Sequence, residues 1–97
     1  MYNTNFAEIF PTGYIPLDIV RNHKSAGIKI GKITDSTADA IGLTKDYYFI
    51  IHFGHDGTGY NAQLALALAG TGNLKFRCSD ANAWRIWVSV NFTEYIK

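Results

Sequence analysis

The sequence predicts one β-rich α+β domain of about five strands, with a single helix set before a C-terminal hairpin. Three observations carry that expectation. Apolar residues recur with a period of two along most of the chain, which is the signature of half-buried strands. One segment, YNAQLALALAG, breaks the pattern. A length of 97 residues with 47% apolar and 14% aromatic content fits a single domain over residues 1–97, small enough that its stability margin is thin.

Taken in order, the first segment, FPTGYIPLDIV, holds Pro11 and Pro16, which lack a backbone donor, and so reads as an edge strand or a strand entry. In IKIGKIT the apolar phase slips from Ile28 and Ile30 to Ile33 across Gly31, and a β-bulge at that glycine would return all three isoleucines to the core of a bent barrel strand. DYYFIIHF is apolar on both faces, as expected for a central strand covered on two sides. In YNAQLALALAG, Tyr60, Leu64 and Leu68 fall at i, i+4 and i+8, the alanines favour helix, and Gly70 and Gly72 supply a stop, so a helix is expected over residues 60–70. Its outer face of Ala62, Gln63, Ala65 and Ala69 is small and uncharged, which points to packing inside the protomer or across a subunit contact. LKFRCSD then places Leu74, Phe76 and Cys78 inward, SDANA reads as a hairpin loop, and WRIWVSVNF places Trp84, Ile86, Val88, Val90 and Phe92 inward with Trp87 outward.

Composition narrows the function classes. Nine Lys and Arg against eight Asp and Glu give a net charge of +1, scattered along the chain, so there is no electrostatic footprint for a nucleic-acid backbone or an anionic membrane. No apolar run approaches the length that spans a bilayer, and MYNTNF lacks a basic region and a hydrophobic signal core, as expected of a soluble or already processed form. The lone Cys78 cannot form an intramolecular disulfide; it reads as a buried small hydrophobe ahead of a reactive thiol.

The stretch HFGHDGTGY invites three readings. A zinc site would need a third ligand beside His52 and His55; Asp56 could serve, but His52 lies in the strand pattern and His23 has no spacing relation to the pair. A phosphate loop would need the lysine of a P-loop or recurring strand-helix-strand units. The expectation is therefore a flexible turn before the helix, capped by Thr58 or Asn61, with no metal and no cofactor. No serine sits in a GxSxG elbow, and the carboxylates, among them Asp35, Asp39, Asp46 and Glu94, are dispersed, so no catalytic residue is assigned and an enzyme is not expected.

The segments FPTGYI, IGKITD with YYFIIHF, LALALAGTGNLKFRC and AWRIWVSVNF, covering about Thr12 to Phe92, resemble the B subunits of AB5 toxins of the subtilase-cytotoxin and pertussis-like branch. That resemblance implies a small OB-type barrel with a helix beside it, a secreted homopentamer whose helices line the ring, recognition of cell-surface glycans that are often sialylated, and a catalytic A-type partner. It also implies that Thr12, beside Gly13 and Tyr14, takes the place of the serine that contacts the sugar. Independently of the family, an outward Trp87 could stack on a sugar ring or seal a subunit contact, and Tyr60 and Tyr14 are further candidates. Two other functions remain open: an assembly or accessory protein of a phage or secretion particle, and a single-strand nucleic-acid binder stacking bases on Trp87, Tyr47 and Tyr48, which the net charge of +1 disfavours.

Overall fold

In the computed structural model, which describes residues 7–68 and 73–90, six strands form one mixed sheet whose order follows the chain. The elements are β1 (Ala7–Tyr14), α1 (Leu17–Val20), β2 (Gly27–Ile33), α2 (Asp35–Ala40), β3 (Tyr48–Gly54), β4 (Ala62–Ala67), β5 (Leu74–Cys78) and β6 (Val88–Val90). β1 runs parallel to β2 and every later neighbour pairs antiparallel. The β-rich expectation and the edge position of β1 hold. The barrel is not confirmed: β1 and β6 lie at opposite ends of the strand order, and among the described residues no pairing closes the sheet.

Where the sequence predicts a helix over residues 60–70, the chain forms β4. An i, i+4, i+8 spacing is also a multiple of two, so the same leucines line one face of a strand, while Asn61, Gln63, Ala65 and Ala67 are buried on the other. Tertiary pairing on both sides, Phe49 with Leu66 and Leu66 with Leu74, overrides the helix propensity of the alanines. The stop residues Gly70 and Gly72, and Ala69, lie outside the described residues.

The bulge expected at Gly31 is also corrected. The β2–β3 register is unbroken from Gly27–Gly54 to Ile33–Tyr48, and the irregularity sits on β1 between Ile9 and Tyr14. The phase slip instead sends Ile33 into the core and leaves Ile28 and Ile30 on the opposite face. Gly31 serves a close approach, since a Cβ there would stand 2.9 Å from both Ile15 Cγ1 and Phe10 Cβ.

Two short helices absent from the sequence reading cover one face of the sheet. Thr34 caps α2 by accepting from the Thr37 N–H, and the helix ends in a Schellman arrangement: Leu43 N–H donates to Ala38 O, Gly42 N–H to Asp39 O, and Gly42 takes a φ of 89°. The core is what these helices trap against the sheet: Ile15, Val20, Ala38, Ile41 and Leu43 pack on Ile33, Tyr48, Ile50, Ala65 and Ala67. β3 is therefore central, but covered on one face among the described residues rather than on two.

The C-terminal hairpin is present, with its sides reversed. Arg77 and Ser79 are buried, whereas Phe76 and Cys78, expected inward, are exposed. WRIWVSVNF contributes only β6 and an isolated bridge between Ser79 and Trp84; Ile86 is exposed, and Phe92 lies outside the described residues. The reversal follows from what the helices need. A helix ends with carbonyls that have no intrahelical partner, and both short helices direct theirs at Arg77: Nη2 donates to Val20 O at 3.0 Å and Nη1 to Ile41 O at 3.4 Å. Trp84 Nε1–H donates to Arg21 O and Trp87 Nε1–H to Ile41 O, both at 2.9 Å.

The rigid guanidinium fork reaches both helix ends at once, which an ammonium cannot do. Arg77→Lys is therefore expected to lower the unfolding free energy by about 2–3 kcal/mol, the loss of charge-assisted bonds to buried carbonyls. Arg85→Lys, on an exposed side chain, should change it by less than about 0.5 kcal/mol; urea titration of the two variants checks this.

Candidate ligand-binding surface

The residues singled out by sequence fall in three separate places. Thr12, Gly13 and Tyr14 are exposed at the end of β1, where Gly13 takes a φ of 89°. Tyr14 stands beside Tyr47, with ring centroids 6.2 Å apart and planes tilted by 53°, and Lys32 Nζ lies 5.7 Å from the Tyr14 centroid. This rim thus presents a hydroxyl, two exposed phenol rings and an ammonium. Rings and hydroxyls of that kind can stack on the apolar face of a flat polar ligand and hydrogen-bond its edge, while the ammonium complements an anionic group.

Trp87 is not at the rim and does not project outward. Half-buried, it packs against the core and lies 4.6 Å from the Arg77 guanidinium carbon, which Trp84 approaches from its own ring at 4.2 Å. Both indoles hold the cation and cap helix ends, which gives each of them a structural task.

Tyr60 sits at the opposite end of the sheet, exposed above an open cleft of about 530 Å³ that includes Phe53, His55, Asn61 and Ser79. The neighbouring HFGHDGTGY stretch ends in a turn. Asp56 Oδ1 accepts from the Thr58 N–H at 3.1 Å and the Thr58 hydroxyl at 2.6 Å, and Gly57 and Gly59 take φ of 85° and 106°. Those two bonds, ahead of the nearby His55, hold the Asp56 carboxyl below its ordinary range. The two histidines diverge: His55 is exposed and His52 fully buried. Among the described residues no three His, Cys, Asp or Glu side chains converge.

What sequence reasoning missed is a polar row beneath the sheet. Cross-strand register aligns Glu8, Lys29, His52, Gln63 and Arg77 across β1 to β5, one residue from each strand. At the edge, Lys29 Nζ donates to Glu8 Oε1 at 3.0 Å. In the interior each donor and acceptor is matched. His52 Nε2 lies 2.7 Å from Ser25 O and so carries the proton, leaving Nδ1 to accept from Gln63 Nε2 at 3.0 Å. Gln63 Nε2 also donates to Val20 O at 2.7 Å, and its Oε1 accepts from Arg77 Nε at 2.8 Å. Asn61 adds a donation to Ser25 O at 2.9 Å, while the Ser79 hydroxyl meets Gly59 O. Gly54 admits the Ser25–Ala26 backbone this close, since a Cβ there would overlap the Ser25 carbonyl.

Burial sets the electrostatics of the row. It lowers the Arg77 guanidinium to about 10, which leaves the group charged at neutral pH. It also holds the His52 imidazolium below its ordinary range; the Lys29 and Arg77 charges add to this, and the hydrogen bond to Ser25 opposes it. Each of these residues alternates with apolar neighbours in its own strand, so the sequence carries the alternation but not which side is covered. The usable signal is the alignment of one polar side chain per strand, visible once register is known.

Comparison with protein-family models, curated proteins and solved structures returns no match.

The neutral imidazole fixes a pH dependence. The folded state binds the His52 proton more weakly than the unfolded chain, whose histidine titrates near 6.5. The stability from this group is complete above that pH and is lost as pH falls below it, because a proton on Nδ1 would face the Gln63 amide donor. The urea midpoint should drop between pH 7 and pH 5, and His52→Gln should reduce that drop; an equal slope in both proteins would refute the assignment.

Proposed function

We propose that the chain is a non-catalytic module that binds a cell-surface glycan at the Thr12–Tyr14 rim. The observation that carries the reading is the pairing of exposed Tyr14 and Tyr47 rings, 6.2 Å apart, with Lys32 Nζ 5.7 Å from the Tyr14 centroid and an exposed Thr12 two residues before Tyr14 on β1. Sugars are held by a stacking face and several hydrogen bonds, and the ammonium suits an acidic sugar such as a sialic acid. The AB5-type resemblance points to the same hydroxyl. The titratable groups of the interior give further support, because the ring nitrogens of His52 and the guanidinium of Arg77 are already engaged by internal partners. On this reading the chain acts outside the cell, with an A-type chain as a candidate partner. It needs a rim and not a closed OB barrel. The ring argument built on an alanine-lined helix lapses, since that segment is β4 and Ala65 lies in the core.

A second reading, an assembly protein of a phage or secretion particle, is favoured by one observation: the sheet face opposite the helices is apolar and exposed. Base stacking on Trp87, Tyr47 and Tyr48 is less well supported, as Tyr48 is buried with its hydroxyl donating to Thr44 O at 3.0 Å and Trp87 caps α2.

A glycan array followed by titration tests the first reading. Thr12→Ala and Tyr14→Ala should each weaken binding about tenfold or more, in line with roughly 1–3 kcal/mol per lost contact. Thr58→Ala, in the turn at the other end, should bind normally. The opposite pattern would move the site to HFGHDGTGY.

A further inference from the structure

On the face turned away from α1 and α2, register builds an unbroken apolar row across all six strands: Ile9, Ile30, Ile51, Leu64, Phe76 and Val88. A second row begins at the rim with Tyr14 and Lys32 and continues through Phe49, Leu66, Leu74 and Val90. The third joins Ile28 to Phe53, Ala62 and Cys78. Ile9 is 63% exposed, Phe49 46%, Leu66 43% and Phe76 37%. Between the first two rows a groove of about 280 Å³ is lined wholly by Ile, Leu and Phe side chains.

We infer that this face packs against the same face of a second copy, forming a two-sheet sandwich with the helices of both protomers outside. The argument for a second copy is one of size, charge and shape. Five strand spacings of about 4.8 Å by roughly 17 Å of strand give on the order of 400 Å² of flat area, which side-chain relief raises toward the roughly 800 Å² per partner of a standard interface. Monomers rarely leave so large an apolar patch open. The three rows hold one charge, Lys32 at the rim end of one row, and no carboxylate, so the middle of the face offers nothing to a charged peptide, whereas a second copy brings a matching apolar surface. Two sheets with the same twist pack face to face at about 30° and 10 Å apart, and a twofold axis satisfies both surfaces at once. The covered side takes Tyr48, Ile50, Ala65, Ala67 and the polar row from β3 to β5, so most of the large apolar side chains of β3 to β6 lie on this open face. The inference does not depend on glycan binding at the rim.

Sedimentation of the full chain between about 1 and 100 μM gives the first test, with a species of twice the 10.8 kDa chain mass expected. Ile51→Lys and Phe76→Lys, both at the middle of the face, should weaken association at least 100-fold. Asp39→Lys, exposed on α2, should leave it unchanged. Cys78 provides a readout that needs no substitution: exposed in the single chain, it should react with a bulky maleimide more slowly as protein concentration rises. A wild-type chain that stays monomeric at 100 μM overturns the inference. So does a dimer indifferent to both lysine variants. Slow alkylation of Cys78 that does not vary with concentration would mean that the chain's own residues 1–6 or 91–97 cover the face, and would equally overturn it.

Discussion

The structure depends on a buried cation with two helix ends to satisfy. α1 has four residues and α2 six, too short to persist by their own hydrogen bonding, so each must be held by what it packs against. Arg77 does this from below with bonds to Val20 O and Ile41 O, and the two tryptophans add one carbonyl bond apiece while flanking the guanidinium. Among the described residues no carboxylate pairs with it. Its charge is balanced by carbonyl dipoles, the Gln63 Oε1 and the indole faces. Such a group is costly to bury and more costly to leave unpaired, so the helices, β4 and β5 constrain one another's positions.

That constraint explains how much of the fold was legible. Period-two alternation located β5 and β6, a slipped alternation β2, a doubly apolar run β3 and two prolines the edge strand, because each pattern is local. It could not say which side of the sheet would be covered. Hydrophobicity favoured Phe76 and Cys78 as the buried residues of β5, and the helix carbonyls selected Arg77 instead, which puts Ser79 on the same side against Gly59 O. The leucines of β4 misled for a numerical reason: a spacing of four belongs to both periods. α2 carried a readable signal in Thr34 at its start and Gly42 just beyond its end, but the surrounding strand pattern masked it. Of the candidate site, Thr12, Gly13 and Tyr14 were legible as exposed residues near a turn. Their neighbours come from elsewhere in the chain, Lys32 from β2 and Tyr47 from the loop before β3, and Trp87 was lost to a capping bond that only tertiary structure reveals.

The sheet is apolar on both sides, but its sheltered side sets a histidine, a glutamine and an arginine beside the core of Ile33, Tyr48 and Ile50, while its open side carries isoleucine, leucine and phenylalanine. Interior polar groups in this arrangement specify position, since each has one geometry in which its partners are complete. The rim lies at the edge between the two sides, where Lys32 and Tyr14 mark the end of the apolar rows.

Because strand order follows chain order, each antiparallel pairing closes on a sequence neighbour, and the sheet can grow strand by strand with modest loss of chain entropy. The clasp is different: Arg77 meets Val20 across 57 positions of sequence and Trp84 meets Arg21 across 63. On a ribosome the chain emerges from its N-terminus, so the first four strands are exposed before any of those donors exist. Until Arg77 and the tryptophans follow, Val20 O at the end of α1 can meet only Gln63 of β4, and Ile41 O beside α2 meets only water. The domain acquires its fixed packing only once the segment from Arg77 to Trp87 has joined the first four strands.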